Sequence, residues 1–291
     1  MHENALIALA AAASWGGGDF SGGMGVKAAG GRVAGAIRFV IVAHAISLSG
    51  LLLIVWTQHA GMPHGVGALW AVAGGVAGAL GLVAFYIALS RGAMGASAAV
   101  SGLLAAAIPA VVSSWMEGAP DTVKLGGFAL AGAAIWLIAA GESPESAGES
   151  RGTMALAIFA GVAFGIYFVA LKMASPLGLF MPLAIARSSS ITLCLLVLGG
   201  MGLAGRSQDG GRWFSKTLLL WAAGVAVMDT GGNLLFLAAS RLGRLDVASV
   251  LASLYPAGTI LLAAWALHER PTRRQIMGMG VALAAVVMIT L

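Results

Sequence analysis

The chain has 291 residues, 59% of them hydrophobic and 9% charged, and its mean hydropathy is +0.95. Soluble domains carry roughly 25% charged residues, so the composition excludes a soluble globular protein and describes a polytopic membrane protein. The net charge of +5 does not indicate nucleic acid, because the basic residues fall between apolar runs, where they act as topology signals.

Apolar segments long enough to cross the roughly 30 Å hydrocarbon layer as helices lie near 5–25, 33–57, 67–90, 94–116, 123–141, 153–173, 180–203, 217–240, 246–267 and 274–291. Ten spans are therefore expected. The joints are short and carry breakers, among them "KAAGGR", "HAGMPHG", "EGAPDT", "GESPESAGESRG" and "HERPTRR". None is long enough for a soluble domain. The first span opens with "ALIALAAAA", which looks like a secretory h-region, but "MHEN" supplies no basic n-region. It is read as a retained span. Cys194, the single cysteine, lies in an apolar run and reads as a buried thiol, with no disulfide framework or thiolate metal site.

Sliding the chain on itself exposes a repeat. Trp15 and Gly16 match Phe164 and Gly165, and Arg38 matches Arg187 at the same offset. Further on, Ser90 and Arg91 match Ser240 and Arg241, Ser97 and Ser101 match Ser249 and Ser253, and Glu117 matches Glu269. The chain thus reads as one five-span unit over 1–141, a linker at 142–152 and a second unit over 153–291. Because five is odd, the second copy enters the membrane from the other side. Inverted halves of this kind are the recurring architecture of secondary transporters, with the binding site at the midplane.

"ASVLASLYPAGTILLAAWALHERPTRRQIMGMGVALAAVVMIT" (Ala248 to Thr290) resembles the closing helix pair of EamA-type members of the drug/metabolite transporter superfamily, and Ser101 to Ile138 is a weaker copy of it. "SWGGGDFSGG" and "VMDTGGNLLFLAASRLG" resemble the first and eighth helices of a bacterial branch. The resemblance implies an all-α integral membrane protein of ten helices in two inverted repeats of five. It also implies a metabolite transporter with no bound cofactor, and both termini on one side, usually the cytoplasm. The charge pattern points elsewhere on that last matter. Loops after odd-numbered spans hold Lys27, Arg32, Arg91, Arg151, Arg206, Arg212, Lys216, Arg270, Arg273 and Arg274, whereas the others hold Lys124, Lys172, Arg241 and Arg244. The positive-inside rule would leave both termini outside.

Ionisable groups inside apolar spans are costly and mark functional sites. Four stand out: Asp19 in span 1, Asp229 in span 8, Arg38 in span 2 and Arg187 in span 7. The arginines are repeat mates. The acids are not, since Asp19 aligns with Phe168 and Asp229 with Ala79, which points to specialisation for a substrate or ion. Pairing of each acid with an arginine is the structural alternative. Asn233 stands four residues after Asp229, and Trp15 four before Asp19, each on the same helix face. An acid beside an aromatic suits an ammonium group; it also suits a proton carrier, because protonation then competes with substrate.

Tyr255, Tyr167 and Ser253 are candidate lining residues, with packing as the alternative for each. Trp56, Trp115, Trp213 and Trp265 fall near span ends, as an interfacial belt requires. Glu117 and Glu269 read as turn and salt-bridge residues. His44 has no partner at metal-ligand spacing, so no metal is expected. The glycines of "GGGDFSGGMG" imply either an unwound or a closely packed backbone beside Asp19.

Gly16 to Asp19 also spell GxGD, the letters of an intramembrane aspartyl protease signature. In that group the second Asp precedes the motif, whereas here it follows, so a protease is the minor alternative. A non-transporting scaffold or sensor, with a fully packed interior, is another. The reading favoured is a secondary transporter, most simply an exporter, of a small polar or zwitterionic metabolite such as an amino acid or amine, by alternating access with proton coupling. Its site residues are expected to be Asp19, Asp229, Arg38, Arg187, Asn233, Trp15, Tyr255 and Ser253. Its partners are a small-molecule substrate, the bilayer of a bacterial inner or plasma membrane, and protons, as a monomer or homodimer. Asp229→Asn is expected to abolish transport and leave folding intact.

Overall fold

The computed structural model describes residues 2–59, 61–91, 94–139, 150–204, 215–266 and 272–290. Among them there are eleven α-helices and no strand: α1 (His2–Ala28), α2 (Val33–Thr57), α3 (Val66–Ser90), α4 (Met94–Met116), α5 (Thr122–Ala139), α6 (Ser150–Ala174), α7 (Phe180–Leu203), α8 (Lys216–Leu242), α9 (Leu245–Ala252), α10 (Tyr255–Ala266) and α11 (Arg273–Thr290). Seven segments are long and apolar enough to cross a membrane: α2, α3, α7 and α8 whole, Ser97–Met116, Arg151–Leu177 and Leu245–Ala266. Large apolar side chains such as Leu53, Leu220, Leu283 and Val287 point outward, a surface suited to lipid rather than water. Trp56, Trp115 and Trp265 are all more than 70% exposed near helix ends. Trp213, Glu269, Arg206, Arg212, Arg270 and most of the 142–152 linker lie outside the described residues.

The segment expected as one span over 246–267 is two helices. Pro256 has no N–H to donate to Ala252, and its ring would collide with that carbonyl. Helix α9 therefore ends at Ala252, and α10 restarts at Tyr255 with the proline in its first turn. Pro109, by contrast, sits inside the continuous α4.

Helix α1 runs unbroken through its glycines, so they serve close packing, not unwinding. A Cβ on Gly16 would lie 3.0 Å from the Gly258 backbone, and one on Gly18 3.3 Å from the Asp229 nitrogen. With side chains there, α1 would stand further from α8 and α10. Glycine thus brings Asp19 and Asp229 to one level of the interior. Around them α1 packs on α8, α9 and α10; α3 packs on α6 and α7; α2 lies against α7 and α8; α5 pairs with α11.

Candidate functional site

Helices α1, α3, α6, α7, α8 and α10 enclose a cavity of about 40 Å3 lined by Trp15, Asp19, Gly78, Leu82, Phe164, Tyr167, Phe168, Arg187, Asp229, Asn233 and Tyr255. The interior is therefore not packed throughout, as a scaffold would have it.

One wall is aromatic. Trp15 stacks on Phe168 with ring centroids 5.0 Å apart and planes 9° from parallel. Phe236 backs both rings, 5.7 Å from Trp15 and 4.5 Å from Phe168. Tyr255 meets Trp15 edge-on at 6.3 Å, and its hydroxyl is held at 2.7 Å by Ser101 of α4. Gly232 makes room for Trp15: a Cβ there would lie 2.5 Å from the indole Cδ1.

The opposite wall is charged, and its charges are unequal in their surroundings. Arg187 of α7 donates to the Asp229 carboxylate of α8 in a buried ion pair. Its Nη1 also donates to His44 Nε2 at 2.9 Å. Arginine nitrogens only donate, so Nε2 of His44 accepts, and the ring must carry its proton on Nδ1, which donates to Ser190 Oγ at 2.7 Å. His44 is thereby fixed as a neutral imidazole. Arg187 Nε reaches Ser47 Oγ, and Nη2 reaches Thr230 Oγ1, each at 3.4 Å, and those two hydroxyls share a hydrogen bond of 2.5 Å. Five side chains from α2, α7 and α8 thus converge on one guanidinium when Ser190 is reached through His44.

Asp19 has none of this. The residue is 8% exposed, and its buried Oδ2 accepts no hydrogen bond among the described residues. Asn233 donates through Nδ2 to the Asp229 carbonyl at 2.7 Å, which leaves its Oδ1 buried and unpartnered. The Tyr167 hydroxyl is in the same condition. An unpaired buried polar atom costs about 1–3 kcal/mol, and more when charged. The cavity therefore concentrates unmet hydrogen-bonding capacity at three of its lining side chains.

Six of the eight residues expected at the site line this cavity: Trp15, Asp19, Arg187, Asp229, Asn233 and Tyr255. Arg38 is buried in α2 but is not in the lining. Ser253 is fully buried at the α9–α10 break, its Oγ without a partner among the described residues, and it too is outside the lining. Phe164, Phe168, Gly78 and Leu82 belong to the lining and were not singled out as site residues. The repeat carried the signal for the first two, as mates of Trp15 and Asp19. Glu117 does join a salt bridge, with Lys172 at 3.6 Å. The two aspartates share no hydrogen bond among the described residues, and Asp229 is engaged by Arg187, which is unlike the proton-sharing dyad of an aspartyl protease.

A solved crystal structure superposes on 99% of this chain and 97% of its own with a TM-score of 0.71 at 15% sequence identity, so the two share a fold. A comparison with curated protein sequences gives no match. Residues 151–291 match the model of the EamA-like transporter family, the resemblance carried by Ala248 to Thr290. The second half of the chain is thus similar to the EamA-like transporter family, and the seven segments long and apolar enough to cross a membrane describe a multi-pass membrane protein.

Proposed function

We propose that this chain is a ten-span secondary transporter of two inverted five-span units, α1–α5 and α6–α11 with α9 and α10 as one broken span, which moves a small amine-bearing metabolite through the Asp19 cavity by alternating access. The observation that carries the reading is the position of an unpartnered carboxylate in a small cavity to which both units contribute walls.

The packing supports the two-unit arrangement. Exchanging the units turns each major helix pair into another that is present: α1 on α8 becomes α6 on α3, and α3 on α7 becomes α8 on α2. Repeat mates Trp15 and Phe164 each press a ring against a glycine of the other unit, Gly232 and Gly81 respectively. Alternating access needs both ends of the cavity to close in turn, and each end holds contacts that would close it. At the end where α4, α6 and α8 finish, Lys172 meets Glu117 and the Ser240 carbonyl. There Glu117 Oε2 also accepts from the Leu245 backbone at 3.1 Å, and Arg244 donates to the Gly118 carbonyl at 2.7 Å. Toward the other end, the buried rings of Tyr86 and Phe39 fill notches at Gly22 and Gly25.

Coupling follows from Asp19. A lone buried carboxylate is stable when it holds a proton or a cation, so the two exclude each other there. Under an inward proton gradient, such exchange drives export of an amine. Counterflow in proteoliposomes with labelled amines and amino acids tests this reading. Saturable exchange that Asp19→Asn abolishes is the expected result; no exchange of any solute would remove transport from the account.

A further inference from the structure

The hydrogen-bond accounting of the cavity narrows the ligand beyond the transporter reading on which this inference rests. Arginine has five N–H donors. Four of those on Arg187 are engaged, by Ser47, His44, Asp229 and Thr230. Both edges of the fork that would grip a carboxylate bidentately are thus already in use, shared among Asp229, His44, Ser47 and Thr230. The unmet atoms are of the opposite kind. Asp19 Oδ2 and Asn233 Oδ1 are acceptors, and the Tyr167 hydroxyl, which serves either way, is the third. The charged side chains of the lining are Asp19, Arg187 and Asp229; the latter two cancel, which leaves one negative charge.

Aromatic rings complete the setting. Trp15, Phe164, Tyr167, Phe168 and Tyr255 all line the same cavity as Asp19, and aromatic faces attract a cation most when it is desolvated. An anionic or zwitterionic solute would find no free cationic fork there, and a neutral one would leave the carboxylate unpaired.

We infer that the site selects an organic monocation, an ammonium without a carboxylate, with Asp19 as its counter-ion, the aromatic wall around its head, and Asn233 and Tyr167 as acceptors for its donor groups. Arg187 and His44 are then positioning residues that neutralise and orient Asp229 and do not touch the ligand. A zwitterionic amino acid is excluded as a preferred substrate.

The test compares four probes on the purified full chain by thermal stabilisation and by counterflow in proteoliposomes. These are ethanolamine and choline, glycine betaine, which adds a carboxylate to choline's head, and the neutral dimethylbutanol in which carbon replaces the nitrogen. At least one of the two monocations is expected to bind about tenfold or more tighter than betaine and dimethylbutanol. That preference should be lost in Asp19→Asn. The variant removes an unpaired buried charge without changing the side chain's size and so should fold; the ranking on the wild-type chain stands independently of it. Binding of betaine or an amino acid as tightly as the monocations, no response to either monocation, or a full response in Asp19→Asn would each overturn the inference. Exchange of amino acids without a response to either monocation refutes the selectivity and leaves transport standing; tight monocation binding without exchange does the reverse.

Discussion

Arg187 of α7 and Asp229 of α8 form a buried ion pair whose arginine is also held by His44 and, more loosely, by Ser47 and Thr230. Removing one partner of such a pair leaves an uncompensated charge, which costs about 3–5 kcal/mol, whereas removing both is often close to neutral. Asp229→Asn is therefore expected to destabilise the fold, which revises the expectation that folding would survive it. Arg187→Met with Asp229→Leu should melt nearer to wild type than either single variant. Thermal melts of the three proteins in detergent check this; a double variant no more stable than the singles would contradict it.

The first helix depends on close approach. Gly16→Ala would place its Cβ 3.0 Å from backbone atoms of Gly258 and Thr259, which cannot swing aside as a side chain can. A loss of about 1–3 kcal/mol is expected from such overpacking. Gly50→Ala, where a Cβ meets nothing within 4 Å, should be neutral or mildly stabilising within its helix. Parallel melts of the two variants measure the difference.

At the Lys172 end, Glu117→Gln weakens the carboxylate that accepts from Ser113, from the Leu245 backbone and from Lys172. Hydrogen bonds to charged groups contribute about 1.5–3 kcal/mol, so amides of the turn between α8 and α9 should exchange hydrogen about tenfold faster or more. Exchange within α3 should not change. Equal rates in the turn would mean that this cluster does not hold that end shut.

Asp121 lies outside the spans, where its carboxylate accepts from both the backbone nitrogen of Lys124 at 2.9 Å and the Lys124 ammonium at 2.6 Å. The Lys124 hydrogen bonds hold its pKa below the usual carboxylate value. A depressed folded-state pKa gives stability that is present above the unfolded value and is lost as pH falls through the folded one. Asp121→Ala should therefore melt lower than wild type at neutral pH, and the gap should close in acid. Melting curves collected down through the acid range decide it.

Much of the site was legible because charge is expensive in an apolar chain. Asp19, Asp229 and Arg187 announced themselves by being there at all, and Trp15 and Asn233 by their spacing of four. Arg38 announced itself equally, and sequence had no means to say that its repeat mate alone would line the cavity. Phe164 and Phe168 went unnoticed as lining because a phenylalanine in a membrane span carries no cost to explain. The division of labour between the acids was also hidden. It depends on which helix faces Arg187, and the glycines that fix how near α1 lies to α8 read the same whether they unwind a helix or pack it.

The central claim is that Asp19 exchanges a proton for the transported cation. The direct measurement is accumulation of labelled choline or ethanolamine in proteoliposomes with an acidic lumen, with wild type and Asp19→Asn side by side. Wild type is expected to concentrate at least one of these cations until the pH gradient collapses, and Asp19→Asn to concentrate neither. Equal gradient-driven accumulation by Asp19→Asn would contradict the account.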